Sequence, residues 1–433
     1  MVAFSSRKTL RKKTRKKRST CRIHDEYITI HLPVHNPYNN NNNTVKNRLF
    51  ILSLMVLTTE TFKWVSTILK QLRHPESISR LPSDLALQRV PRKRPTWQAE
   101  NDRISDRMFY RLFRMPRKCF EELCDKIKEV VGEEEFKSEK YLEGLLALGN
   151  ATRKSCTYNS SILFNGVYVP GEVKVAMTLR ILAGASYLDM FLWFNVCADH
   201  VVVITRKVMH EWFCNDEVME IDFYKSILQD QVFRKDVIDD FASRSGGVLQ
   251  GCIGALDGWL VRIICPSIFE VNNPGKYYSR KGFYAINVQA IVDKRKRILW
   301  RYIGEKGNAH DSSAFKKSNL GKYLMRIRNL LEQFGLFLVG DSAYSIRGHL
   351  LIPYDNARPN SPEDSFNFFQ SSQRIYVECA FGEIDRRWGI LWNRLEGKLE
   401  SHQYTIDSCL RLHNLIVNFR ERNGLGSEDD DRE

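Results

Sequence analysis

An aspartate stands in the middle of an otherwise apolar run, Ile253-Gly-Ala-Leu-Asp257-Gly-Trp-Leu-Val-Arg-Ile263. The run reads as a β-strand. An ionised carboxylate in a dry strand is costly unless something compensates it. Asp257 therefore either ends its strand in a polar turn or holds a cation. A second apolar run, Leu336-Phe-Leu-Val-Gly340, stops in the same way, at Asp341. The C-terminal end of a buried parallel strand is a usual place for function in α/β sheets.

The elements around these acids define a fold. Residues 251–264, 282–292 and 297–303 read as strands in a meander, with a charged turn at Asp293-Lys-Arg-Lys-Arg297. A helix is expected over 312–331, with Asp311 or Ser312 as its N-cap. The short strand 336–340 follows, then helices over 371–393 and 404–420. Three strands, a helix, a strand and further helices is the order of an α/β fold with an RNase H-like core, a mixed sheet flanked by helices.

Upstream, Phe109, Phe113, Phe120 and Leu123 recur at helical spacing, and Val173–Ala183, Tyr187–Phe194 and Val201–Phe213 are short apolar-periodic runs. The N-terminal region is thus mainly α-helical. Its last three runs are compatible with a helix-turn-helix, capped at Asp199 and offering Thr205, Arg206, Lys207 and His210 to base edges. The expected organisation is a disordered basic tail (1–48), a helical segment and linker (49–102), a helical region (103–245), the catalytic core (246–422) and an acidic disordered tail (423–433).

A third acid completes a constellation. Val377, Phe381, Ile384 and Trp388 share one helical face, and Glu378 lies on its flank, free to look toward the sheet edge. Glu383 lies on the opposite flank. Two strand-end aspartates and a helix-borne glutamate make a hard, oxygen-rich site that suits Mg²⁺ or Mn²⁺ better than zinc. Two such ions, about 3.5–4 Å apart, stabilise both the attacking and the leaving oxygen of a phosphodiester.

The words around the acids are more specific than their spacing. ALDG, YYSRKGFYAINVQAIVD, GNAHDSSAF, LVGDSAY, LIPY, RIYVECAFGEIDRRWGIL and LRLHNLIVN occur in that order, from about Gly251 to Asn418. The series resembles the transposases of the PIF/Harbinger superfamily and the nuclease-like host proteins derived from them. The resemblance extends more weakly over Met108 to Phe213. It implies a DDE triad at Asp257, Asp341 and Glu378, serving as catalytic residues and as metal ligands, with Asp311 and Glu383 as rivals for the second and third places. The chain departs from the pattern at Trp259, Cys379 and Asp385. The resemblance implies a divalent-metal-dependent DNA endonuclease or transposase that cuts and then joins strands. The alternative it leaves open is a domesticated, catalytically inactive protein that binds DNA or serves as a nuclear scaffold. It also implies a separate Myb-like partner for reading DNA ends, and it leaves room for a homo-oligomer.

Charge agrees with a nucleic-acid partner without proving one. The formal net charge is +15, and the first 48 residues supply much of it, with twelve Lys/Arg against Asp25 and Glu26. The run Arg11-Lys-Lys-Thr-Arg-Lys-Lys-Arg18 reads as a nuclear-import signal. Near the acids, Lys276, Arg280, Lys281, Arg386 and Arg387 are candidates to grip the phosphates of double-stranded DNA. Ten cysteines without a C-x-x-C pair fit reduced thiols in the cytosol or nucleus. The best membrane candidate, Leu49–Leu57, is too short to span a bilayer.

Overall fold

The computed structural model describes residues 97–137, 169–194, 196, 198–345 and 348–426. These residues all fall within one compact unit, Lys93–Glu433. The expectations for the basic tail, the Asn tract, Leu49–Leu57 and the chain beyond 426 lie outside the described residues. No single helix among the described residues is long and apolar enough to cross a membrane.

The sheet is mixed, with strand order β3-β2-β1-β4-β5. Its strands are β1 (Cys252–Arg262), β2 (Ala285–Val292), β3 (Ile298–Lys306), β4 (Phe337–Gly340) and β5 (Leu350–Leu351). β1 is central, antiparallel to β2 and parallel to β4. This is the mixed sheet expected of an RNase H-like core. Every residue of β2 is buried, so its near-continuous apolar composition follows from burial on both faces. The charged turn before β3 closes on itself. Asp293 accepts from the Arg297 backbone N–H at 2.8 Å and from its Nε at 2.6 Å, and Lys296 turns the chain at φ +67°.

The helices before the sheet are α1 (Trp97–Arg103), α2 (Asp106–Phe113), α3 (Arg117–Val131), α4 (Glu133–Lys137), α5 (Gly171–Leu182), α6 (Tyr187–Phe194), α7 (Ala198–Lys207) and α8 (Gln231–Arg244). α1 begins inside the stretch expected to be linker. Its Trp97 ring packs 5.3 Å from Phe120 and 6.0 Å from Phe113, so an aromatic cluster holds it. After the sheet's first three strands come α9 (Asp311–Lys317), α10 (Asn319–Arg326) and α11 (Arg328–Gln333) where one helix was expected. Ser318 makes the break: its Oγ accepts from the Gly321 N–H at 3.0 Å and caps a new helix.

Two long helices close the chain, α12 (Pro362–Arg387) and α13 (Leu399–Arg422). α12 starts nine residues before the expected Ser371, capped by Ser361, whose Oγ accepts from the Asp364 N–H at 3.2 Å. Val377, Phe381 and Ile384 are buried on its inner face, as the periodicity predicts, and buried Trp388 ends it. One hydrophobic core runs from Phe109 through the sheet to Phe419. The helical region and the sheet therefore share a core across residue 245.

The expected recognition helix buries one face in the core. α7 continues as a π-helix, Val208–Phe213, packed against α13. Val201, Ile204, Thr205, Val208, Met209, Trp212 and Phe213 are buried. Thr205 Oγ bonds back to the Val201 carbonyl, Lys207 reaches Glu135, and the His210 ring lies 4.3 Å from Tyr404. Thr205 and Lys207 are thus committed to the fold, whereas Arg206 and His210 are exposed.

Candidate functional site

β1 and β4 set the site. Leu256 pairs with Gly340 in the parallel register, so Asp257 and Asp341 follow at neighbouring positions. Asp257 sits within β1 where the strand's burial relaxes, with its side chain 17% exposed. Its Oδ1 accepts from the Gly258 N–H at 2.7 Å. Burial raises the Asp257 carboxyl to about 6, with Asp341 and Asp311 pushing it further up and the Gly258 N–H and Arg374 pulling it down. The Asp341 carboxylate accepts from the Ala343 N–H in the turn after β4.

Glu378 joins them from α12 through one side chain absent from the sequence reading. Arg374, one turn earlier on the same helix, places Nη1 3.3 Å from Asp257 Oδ2 and 2.5 Å from Glu378 Oε1. The sequence signal was the i, i+4 spacing of an Arg before the key Glu. Glu383 is tied instead to Lys296 in the β2–β3 turn.

Asp311 is part of this neighbourhood and is not a helix cap. His310 occupies the N-cap position, and Asp311 is the first residue of α9. Its Oδ1 accepts from Asn287 Nδ2 and Gln289 Nε2, both at 2.9 Å, while Arg280 Nη2 lies 3.7 Å from Oδ2. Asn287 and Gln289 are buried polar residues two apart in an otherwise apolar strand, a pattern legible in the sequence. Tyr344 donates its hydroxyl to Gln289 Oε1 at 2.5 Å. Burial pushes that phenol well above its usual range, and the charges of Asp257, Asp311 and Asp341 add to the effect.

The acids approach β1 from two sides. Trp259 stacks on Phe381 of α12 with ring centroids 5.4 Å apart, so Asp257 and Trp259 share the α12 face of the strand. A Cβ at Gly258 would lie 2.2 Å from Asp311 Oδ1, so Asp311 arrives from the other face. Among the described residues, no three acidic, histidine or cysteine side chains converge as a ready metal cage. The donors nevertheless suit a hard cation: they are carboxylates, they repel one another at Asp257, and a guanidinium stands between Asp257 and Glu378.

Of the candidate phosphate contacts, Lys276, Arg280, Lys281 and Arg386 are exposed. Arg387 is buried, with Nη1 2.5 Å from His413 Nδ1, and burial pushes its guanidinium down to about 10. His413 Nε2 lies 2.8 Å from the Lys296 carbonyl, which fixes the ring as acceptor from Arg387 and donor to that carbonyl. Arg387 thus ties α12 to α13 and is removed from the phosphate-contact set.

Residues 256–414, from within β1 to within α13, match the family model described as DDE superfamily endonuclease, a superfamily whose members generally use divalent metal ions. Over 328 residues the chain is 26% identical to the Protein ALP1-like of Arabidopsis thaliana, covering 72% of this chain and 71% of that relative. No solved structure matches the chain.

Proposed function

We propose that the protein is a divalent-metal-dependent DNA endonuclease of transposase type, with Asp257, Asp341 and Glu378 as its catalytic acids and metal ligands. The observation that supports this reading is the parallel register that sets Asp257 beside Asp341, with Arg374 of α12 linking Asp257 to Glu378 and Asp257 pushed up by burial and by its acidic neighbours. Asp257, Asp341 and Glu378 would hold Mg²⁺ or Mn²⁺, which would supply charge stabilisation and lower the pKa of a bound water. The chain supplies the geometry. β1 and β4 hold the two aspartates side by side, and α12 sets Glu378 within Arg374's reach of Asp257. Asn287 and Gln289 fix Asp311 on the other face of β1. Exposed Lys276, Arg280, Lys281 and Arg386 are the groups to hold the phosphates of double-stranded DNA. Hydrolysis breaks a P–O3′ bond and leaves a 3′-hydroxyl, which then serves as the nucleophile for strand joining.

Burial of Thr205 and the pairing of Lys207 with Glu135 leave α7 few groups for base edges, which supports delegating sequence recognition to a Myb-like partner, since phosphate contacts carry no sequence information. Nuclear entry through Arg11–Arg18 belongs to the same reading. The second reading, a protein that binds DNA without cutting it, is favoured by the guanidinium between Asp257 and Glu378.

A nicking assay on supercoiled DNA with Mg²⁺ or Mn²⁺ decides between them. Asp257→Asn, Asp341→Asn and Glu378→Gln are each expected to lose at least about 10²–10³-fold in rate, the scale of removing one electrostatic stabiliser. The melting temperature of Asp257→Asn should not fall, because the change relieves repulsion from Asp341 and Asp311. No nicking by the wild type, with binding intact, establishes the second reading. Full activity of Asp341→Asn with a dead Asp311→Asn moves the second acid to position 311.

A further inference from the structure

We infer that Arg374 is an internal counter-ion that occupies the place of the divalent cation in the metal-free protein and must leave for the cation to bind. The inference rests on the metal-dependent reading above and adds a positioning residue to it.

One nitrogen, Nη1, contacts both Asp257 and Glu378. A cation ligated by those two carboxylates would need the same space. Without Arg374, Asp257 would face the charges of Asp341 and Asp311 with only the Gly258 N–H to offset them. The guanidinium therefore stabilises the site while it waits.

The hold is built to be released. Asp257 is anchored in the central strand, but the Glu378 side chain is 50% exposed and that of Arg374 is 22% exposed. An i, i+4 pair so open to water is weak. A divalent ion brings twice the charge to the same carboxylates, and Arg374 lies near enough to solvent to swing out. Binding then carries the cost of displacing Arg374. If the carboxylates are free of it for about a tenth of the time, the apparent metal affinity is lowered about tenfold.

The test needs neither DNA nor turnover. Full-length wild type, Arg374→Gln and Arg374→Lys are titrated with MnCl₂ by calorimetry, and their melting temperatures are followed along the same series. Arg374→Gln should melt below the wild type without metal, bind Mn²⁺ about tenfold more tightly, and gain more melting temperature on saturation. Arg374→Lys keeps the charge and should stay close to the wild type in affinity. Mn²⁺ binding by Arg374→Gln alone also supports the counter-ion role. Equal or weaker binding by a folded Arg374→Gln, with the wild type binding, overturns it and leaves the metal-dependent reading standing. Binding by none of the three removes that reading and the counter-ion role with it.

Discussion

Two of the clusters of buried or half-buried charge in this fold are built on opposite plans. Between β3 and α13, Asp407 receives Arg301 through Nε at 2.7 Å and Nη2 at 3.1 Å, and Arg411 through Nε at 2.9 Å. Burial acts to raise the Asp407 carboxyl, but the two guanidiniums override it and hold it below its usual range. At β1 the proportion is reversed. Asp257 and Glu378 share one guanidinium, Asp341 and Asp311 add their charge, and Asp257 rises to about 6. A compensated cluster fastens two elements together. An under-compensated one stores a demand for positive charge, and such perturbed groups collect at functional sites.

Breaking the compensated cluster should have the largest effect. Asp407→Asn leaves Arg301 and Arg411 facing each other with their shared anion gone. The expected loss is about 3–5 kcal/mol of stability, the usual cost of removing one partner of a buried pair. Urea denaturation measures it. A loss below about 1 kcal/mol would mean that the cluster is not what joins β3 to α13.

A pH series should separate the two plans by sign. The folded carboxyl of Asp257 titrates near 6 against an ordinary 3.8. Between those values the folded protein keeps a proton that the unfolded chain has lost. Stability of the metal-free protein should therefore fall as pH rises from about 4 to about 6, by an amount on the order of 2 kcal/mol. Asp257→Asn should remove that fall. Asp407, held low, works the other way: its contribution is present above its unfolded pKa and is lost as pH falls through the folded value. Urea melts of the metal-free protein across this range test both signs, and identical profiles for wild type and Asp257→Asn would dismiss the strained carboxylate.

The smallest effect sharpens the contrast between exposed and buried arginines. Arg280→Ala should weaken binding to duplex DNA and reduce the log–log salt slope by about 0.9, one phosphate's worth of released counterion. Arg387→Ala should lower stability and leave the slope unchanged, since its guanidinium meets His413. Fluorescence anisotropy across a salt series reads both. A slope unchanged in Arg280→Ala would place the duplex elsewhere.

The sheet was legible because its strands are apolar runs cut by turn residues, and the inner face of α12 because Val377, Phe381 and Ile384 keep a helical period. Arg387 was misread as a surface contact from its RR doublet, although it lies three residues after Ile384 and seven after Ala380, on the buried face. Ser361-Pro362-Glu363-Asp364 announces the start of α12, which polar Asn367, Gln370 and Ser371 obscure. The role of Asp311 could not be read locally. An acid at a helix start suggests a cap, whereas its partners lie 22 and 24 residues back on β2. Arg374 shows the same limit, because its bond to Asp257 spans 117 residues of chain.

The shared core has a consequence for what is portable in this molecule. The segment that matches the DDE superfamily begins at residue 256, four residues into β1, and stops at 414, partway along α13. A fragment cut at those limits would keep all four acids of the site and Arg374. It would lack Cys252 and Ile253 of β1, Ile416 and Phe419 of α13, and the whole aromatic cluster of Trp97, Phe113 and Phe120. What is recognisable as a unit of ancestry is therefore smaller than the unit of folding. Transplanting this chemistry means carrying the upstream helices with it, as a keystone travels only with its arch.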